Sequence, residues 1–214
     1  MKKIFVILLL MVTIPFAGNA QTDETEFFMG INGGLDYNMN AYKLDKNESY
    51  GYAYYGISPR YNIGLDFGLK VSKKLRPRIE IKYVNVKYGI DWSPSVYQFG
   101  TTVTNVNYVD FNLHLDYLLI SIKKFQLFVS PAVKSELEMR HSISSTNWNI
   151  LELKHPGKIL GGAVSAIIKY NLSKNFGITL TPEYTMFLKP FATGNDKPYQ
   201  RFSSNIGIEY KFGD

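Results

Sequence analysis

Eight stretches of this chain alternate apolar and polar residues with a period of two, and this pattern constrains the fold more than any other feature. From Phe202 to Phe212 the even positions are apolar or small, whereas the odd positions are polar, charged or glycine. Successive side chains of a β-strand point to opposite faces, so each stretch predicts a strand with one apolar face. The predicted strands are 27–37, 57–69, 77–88, 108–119, 125–140, 159–170, 176–186 and 202–212. A phase change at Tyr83 and Val84 predicts a β-bulge in the third strand.

The connections between these strands alternate in length. Short turns are expected at 71–74, 121–124 and 171–175, and long polar connections at 40–56, 89–107, 141–158 and 188–200. Short turns at one end and long loops at the other are typical of bacterial outer-membrane barrels, in which the turns are periplasmic. Each segment has roughly 10 to 14 residues, enough for a tilted strand to cross the hydrocarbon layer.

Alternation alone does not tell a membrane barrel from a soluble barrel or sandwich with its apolar face inward, and the soluble fold remains the alternative. The polar face is rich in Gly, Ser, Thr and Asn beside a few charges of both signs, which suits the narrow interior of an eight-stranded barrel. The apolar face often ends in aromatic residues, such as Phe27 with Tyr37 and Phe202 with Phe212, as interfacial girdles do. Strands in hydrocarbon must close because no backbone group can stay unpaired. We predict an all-β, eight-stranded antiparallel up-and-down transmembrane β-barrel with outward apolar side chains.

The N-terminus predicts export. Lys2 and Lys3 precede an apolar run over 4–14, and small residues over 17–20 follow Pro15. This pattern predicts a secretory signal peptide, 1–20, with cleavage after Ala20, and an uncleaved anchor is the alternative. A short segment, 21–26, then precedes the barrel domain, 27–214, and the formal net charge falls from +6 to +4 on cleavage. The lysines are scattered, which does not favour nucleic-acid binding, and the absence of cysteine excludes disulfides and thiolate sites.

Two strands carry a resemblance to a known family. Tyr108-Val-Asp-Phe-Asn-Leu-His-Leu-Asp-Tyr117 is similar to a strand of the small outer-membrane β-barrels called porin-family or PorT-like, and differs from it at Asn112, His114 and Asp116. Ile206-Gly-Ile-Glu-Tyr-Lys-Phe212 resembles the C-terminal signal read by the barrel-assembly machinery. The resemblance extends in architecture to OmpX and the OmpA barrel. It implies an outer-membrane protein of a Gram-negative envelope that contacts lipid bilayer and lipopolysaccharide.

Three function classes remain open from the sequence. The first is a non-enzymatic barrel with a structural role or with external loops that bind a partner or ligand; the second is a narrow channel or transporter; the third is a lipid-modifying enzyme. No catalytic, cofactor or metal site is predicted. His114 stands near Asp110 and Asp116 on the inward face and is interpreted as a polar filler of the lumen, with proton relay or metal binding as the alternative.

Inward-facing charges predict a polar network that plugs the lumen, because buried charges are tolerated only when paired and hydrogen-bonded. We expect the closing seam to bring Asp36 near Arg201. A mixed-sign cluster is expected lower down, and its members are Asp66, Glu80, Lys82, Asp116, Lys169, Glu209 and Lys211. The predicted network comprises Asp36, Arg60, Asp66, Glu80, Lys82, Asp110, His114, Asp116, Glu183, Arg201, Glu209 and Lys211.

Overall fold

The computed structural model describes residues 25–38, 51–57, 60–95, 98–145, 157–189 and 198–212. The predicted signal peptide lies outside these residues. Within them, no helix is long and apolar enough to cross a membrane. The described part of the chain forms strands β1 Glu26–Asn38, β2 Gly51–Ile57, β3 Arg60–Lys70, β4 Leu75–Ser95, β5 Gln98–Ile122, β6 Phe125–Ser145, β7 Lys158–Asn171, β8 Phe176–Phe187 and β9 Gln200–Phe212.

Eight of these strands close into a barrel in the order β1-β3-β4-β5-β6-β7-β8-β9, with every pair antiparallel. β9 returns to β1 along a seam that runs from the pair Phe27 and Phe212 to the pair Asn38 and Arg201. The short β2 pairs with the far end of β4, along the same edge of β4 with which β3 pairs. The predicted eight-stranded antiparallel barrel is therefore confirmed.

Three short turns connect neighbouring strands at one end of the barrel, called here the turn end. Residues 71–74 join β3 to β4, 123–124 join β5 to β6, and 172–175 join β7 to β8. The predicted short turns are confirmed within a few residues. The opposite end, which carries the long connections, is called the loop end.

Two of the predicted long loops contain strand. β4 runs to Ser95, β5 begins at Gln98, and their ladder includes the pair Asp91 and Thr101, so most of 89–107 is a hairpin. Residues 51–56 belong to β2 rather than to a loop, and β6 likewise continues to Ser145. β-branched residues of 101–106 favour this extension. The prediction failed there because strands beyond the hydrocarbon layer need no apolar face, so the strict alternation ends before the backbone pairing does.

The predicted β-bulge at Tyr83 and Val84 is wrong. The β4–β5 ladder keeps one register from Leu75 to Trp92, passing through both residues without a shift. Val84 is fully buried and points inward, so the phase change marks an apolar side chain entering the lumen. Register shifts occur instead between β5 and β6, at 107–108 and at 118–120 of β5.

Apolar side chains cover the outside of the barrel. Ile206 is 65% exposed and Ile208 53%, and Leu113 on the opposite wall is 46% exposed. Phe27 and Phe212 contact each other at the turn end of the seam, with ring centroids 5.3 Å apart. The predicted outward direction of the apolar face is confirmed, because in a soluble barrel these side chains would meet in a dry centre.

Candidate functional site in the barrel interior

Charged side chains fill the interior in equal numbers of each sign. Among the described residues, seven acids and seven bases are buried. A narrow interior holds such groups only when they neutralise one another, since burying an unpaired charge is costly. The acids are Asp36, Glu80, Asp110, Asp116, Glu136, Glu183 and Glu209, and the bases are Arg60, Arg76, Arg78, Lys82, Lys134, Lys169 and Arg201.

Arg76 organises the layer nearest the turn end. Its guanidinium lies 3.1 Å from Asp116 Oδ2 and 3.0 Å from Glu209 Oε2, and so joins β5 to β9 across the lumen. Lys169 pairs with Glu209 from β7, and Arg78 Nε lies 3.3 Å from Asp116 Oδ2. These charge-assisted bonds tie four strands of the wall together at one height.

Glu80 is the centre of the middle layer. Its carboxylate accepts hydrogen bonds from the side-chain amides of Asn32 at 3.0 Å and Asn112 at 2.7 Å. Lys82 Nζ lies 3.0 Å from Glu80 Oε1, and His114 Nε2 lies 3.4 Å from Glu80 Oε2. Glu80 on β4 therefore has partners on β1 and on β5, one to each side of its own strand, which holds its charge in a fixed position.

Arg201 spans the layer nearest the loop end. Its guanidinium bonds to Asp110 at 2.8 Å and to Glu136, both on the far side of the lumen. The seam brings Asp36 near Arg201, as expected, because Asp36 pairs in the ladder with Ser203, two residues along the same inward face. The Asp36 carboxylate accepts a hydrogen bond from Asn62 at 2.8 Å, whereas Arg201 forms its ion pairs across the lumen. β9 and β5 lie on opposite sides of the ring, so the contact from Arg201 to Asp110 crosses the full width of the interior.

Aromatic rings close the turn end of the lumen. The Arg76 guanidinium lies between the rings of Phe28 and Phe128, 4.1 and 4.4 Å from their centroids, in cation–π geometry. Phe28 fits because Gly68 is its partner on β3, where a Cβ would come within 2.2 Å of the ring.

The loop end is closed in the same way. Phe187 and Tyr199 stack with centroids 4.8 Å apart, and Arg60 Nη1 donates a hydrogen bond to the Tyr199 hydroxyl at 2.6 Å. Gly161 on β7 makes room for Phe187 as Gly68 does for Phe28, because a Cβ there would lie 2.8 Å from the ring. Each end of the lumen therefore carries an aromatic cap. Among the described residues, a cavity of about 30 Å³ lies in the interior beside Asn32 and Arg78, and one of about 50 Å³ lies at the turn-end rim beside Glu26 and Lys70. These cavities have room for a few water molecules.

The structure brings most of the predicted network together. Ten of its twelve residues are buried in the interior, and Asp66 is half-buried and pairs with Arg78. Lys211 stands apart: it is half-buried at the turn-end rim, outside the cluster in which it was expected. The other members of the predicted lower cluster are connected: Asn32 donates hydrogen bonds to both Asp66 and Glu80, and Arg78 pairs with Asp66 and Asp116.

Several interior residues were missed from the sequence. Counting back by two from Glu80 leads to Arg78, inside the predicted strand 77–88, and to Arg76, one residue before it, so the alternation contained the signal for both. Lys134 and Glu183 form an ion pair, but the predicted network contained only Glu183. The cap residues Phe28, Phe128, Phe187 and Tyr199 carried no such signal, because an inward aromatic contradicts the polar pattern of that face.

The arrangement offers little chemistry beyond ion pairing. Ser130 Oγ donates a hydrogen bond to Asp116 Oδ1 at 2.7 Å and lies 3.2 Å from His114 Nδ1. In a catalytic triad the acid would hold the histidine, but here it holds the serine, and all three groups are buried beneath the caps. No group of three or more His, Asp or Glu among the described residues could hold a metal ion.

An apolar exterior around a charged, hydrogen-bonded interior defines a transmembrane β-barrel. No protein-family model and no curated protein matches the sequence. Solved structures do match. The outer membrane protein OprG from Pseudomonas aeruginosa is 15% identical with a TM-score of 0.59, and the match covers 92% of this chain and 100% of that one. Neisserial surface protein A is 11% identical with a TM-score of 0.53, and the match covers 89% of this chain and 100% of that one. At such identities the likeness concerns the fold. The chain has the fold of the small outer-membrane β-barrels, which confirms that part of the predicted resemblance, whereas a PorT-like subtype stays a prediction.

Proposed function

We propose that the mature protein spans an outer membrane, with its turn end in the periplasm and its loop end outside the cell. The belt of exposed apolar side chains and the fold of small outer-membrane barrels support this placement. Removal of residues 1–20 after Ala20 belongs to the same proposal, as does recognition of β9 by the barrel-assembly machinery. Exposed Lys158 and Lys189 at the loop end provide cationic contacts for lipopolysaccharide phosphates.

We further propose that the lumen is plugged, so that the protein acts through its surface rather than as a channel. The contact from Arg201 to Asp110 carries this proposal, because it crosses the interior between opposite walls. The capped ends and the small size of the cavities point the same way. A narrow channel would need a continuous wet path past Arg201, Arg76 and both caps.

The proposed role is non-enzymatic, either structural or in binding a partner or ligand outside the cell. β2 and the loop-end parts of β4, β5 and β6 form an external sheet that continues the backbone pairing past the barrel wall. A paired sheet is a stiffer platform for binding than an irregular loop. The contact between Ser130 and His114 gives no support to a lipid-modifying enzyme, since lipid cannot reach either group from outside.

Conductance tests the plugged lumen. Refolded protein, shown to be folded by its altered gel migration before boiling, is added to a planar bilayer beside a water-filled porin as positive control. We expect small or no conductance at concentrations at which the porin opens many channels, because side chains fill an eight-stranded interior. Large, stable steps of porin size would contradict the proposal and favour the channel class.

A further inference from the structure

Lysine is concentrated at the turn end of the barrel. Glu26 is the one surface acid among the residues described at this rim, and it pairs with Lys70 at 2.6 Å. Seven lysines against this one acid give the described residues of the rim a net charge of +6. The lysines, called here the lysine ring, are Lys70, Lys73, Lys74, Lys123, Lys124, Lys174 and Lys211.

The lysine ring surrounds the barrel instead of forming a single patch. The turns that carry it join β3 to β4, β5 to β6 and β7 to β8, and Lys211 lies on β9 next to the first strand. Cations therefore stand at regular intervals around the circumference. The centre of this end is closed by Phe28, Arg76 and Phe128, so the surface offered to a partner faces sideways rather than into the lumen.

Each lysine turn borders directly on outward apolar side chains. Ile122 and Phe125 flank Lys123 and Lys124 and are 62% and 39% exposed. Leu172 and Phe176 flank Lys174 in the same way. Lysine stems lie along apolar surface while their ammonium groups reach polar surroundings, so these groups stand where acyl chains give way to headgroups.

The backbone of the β5–β6 turn adds an independent observation. Lys123 has φ of 51°, a left-handed conformation that favours Gly or Asn in a two-residue hairpin turn. Lys124 follows it immediately, so the tightest turn of the barrel consists of two lysines. The geometry of this turn does not require lysine at either position. The presence of two lysines therefore indicates that their charge has a role.

We propose that the lysine ring binds the phosphate groups of anionic phospholipids in the leaflet at the turn end, an inference that rests on the proposed placement in a membrane. A sideways-facing ring at headgroup depth suits lipids that approach from every direction. A macromolecule would need a continuous face, which the three separate turns do not provide. Bound lipid phosphates neutralise the excess charge of the rim and fix the depth of the barrel.

Lipid selectivity measures the proposed binding. The full mature chain is inserted into symmetric phosphatidylcholine vesicles that contain either spin-labelled phosphatidylglycerol or spin-labelled phosphatidylcholine, and the motionally restricted fraction of each probe is compared. For the wild type we expect a preference of about threefold to fivefold for the anionic probe at low salt, falling towards one in about 1 M NaCl. The variant K74Q/K123Q/K124Q/K174Q is expected to lose the preference at low salt too.

Two variants control for position and for charge. R140Q removes an exposed cation at the loop end and is expected to leave a clear preference, which locates the effect at the turn end. K74R/K123R/K124R/K174R keeps the charge and is expected to keep the preference. Gel migration before and after boiling verifies that each variant is folded.

The outcomes separate cleanly. Equal restriction of the two probes by wild type, or a preference that survives the four glutamine substitutions, overturns the proposal. If that variant does not fold, the salt titration of wild type decides, because a preference unchanged in high salt also overturns it. Binding to peptidoglycan fragments without lipid preference would assign the ring to the cell wall and contradict it. Failure to insert into either kind of vesicle would contradict the membrane placement itself.

Discussion

Replacing Arg201 with methionine is expected to lower the free energy of unfolding by about 3–5 kcal/mol, the range observed when one partner of a buried ion pair is removed. Arg201 lies between Asp110 and Glu136, and its loss would leave two buried carboxylates of the same sign without their cation. The measurement is urea unfolding of the protein folded in lipid vesicles, followed by circular dichroism and by gel migration.

Two further variants test whether uncompensated charge causes the expected loss of stability in R201M. The triple variant R201M/D110N/E136Q removes all three charges and is expected to recover a large part of the lost stability. Arg140→Met removes an exposed arginine at the loop end and is expected to cost no more than about 0.5 kcal/mol. An R201M protein within about 1 kcal/mol of wild type would contradict the assigned role of Arg201.

Placing arginine at Ile206 is expected to destabilise the folded protein by about 2–4 kcal/mol, the cost of a basic side chain on the lipid face near the bilayer centre. Ile206 is 65% exposed and points away from the charged interior. The same unfolding experiment in vesicles measures the effect. Leu188→Arg is the matched control, because Leu188 is exposed at the loop end, where the expected cost is about 0–1 kcal/mol.

The Ile206 substitution also tests whether the exposed apolar belt of this barrel faces lipid or water. If the belt faced water, arginine at this exposed position is expected to change stability by about 0.5 kcal/mol or less. A result of that size, with no difference between Ile206→Arg and Leu188→Arg, would argue against a lipid-facing exterior.

The fold could be predicted because its main signal is local. Strict alternation, as in 202–212, arises because one face of the strand lies in hydrocarbon and the other in a polar lumen. The pattern can be recognised in the sequence of each strand without reference to its neighbours. Chain order and turn length then fix the pairing, since short turns leave antiparallel neighbours little choice. The extension of β4 and β5 was missed because outside the membrane the two faces no longer differ.

Partners in the interior could not be predicted to the same degree. Asp36 and Arg201 stand at similar heights along their own strands, but strand stagger decides which groups meet across the lumen. The stagger directs Arg201 to Asp110, more than ninety positions earlier in the chain, and no local pattern encodes that contact. The aromatic caps were missed for a related reason, because Phe28 and its partner Gly68 make sense only as a pair across two strands.

The central claim is that apolar side chains face lipid and charged side chains fill the interior. The chain contains no cysteine, so single cysteines at Leu113, Ile206 and Ile208 can carry nitroxide labels without background. In vesicles we predict strong relaxation of these labels by dissolved oxygen and weak relaxation by a water-soluble nickel complex. Labels that are immobilised and shielded from both reagents, as in a packed dry core, would contradict the account.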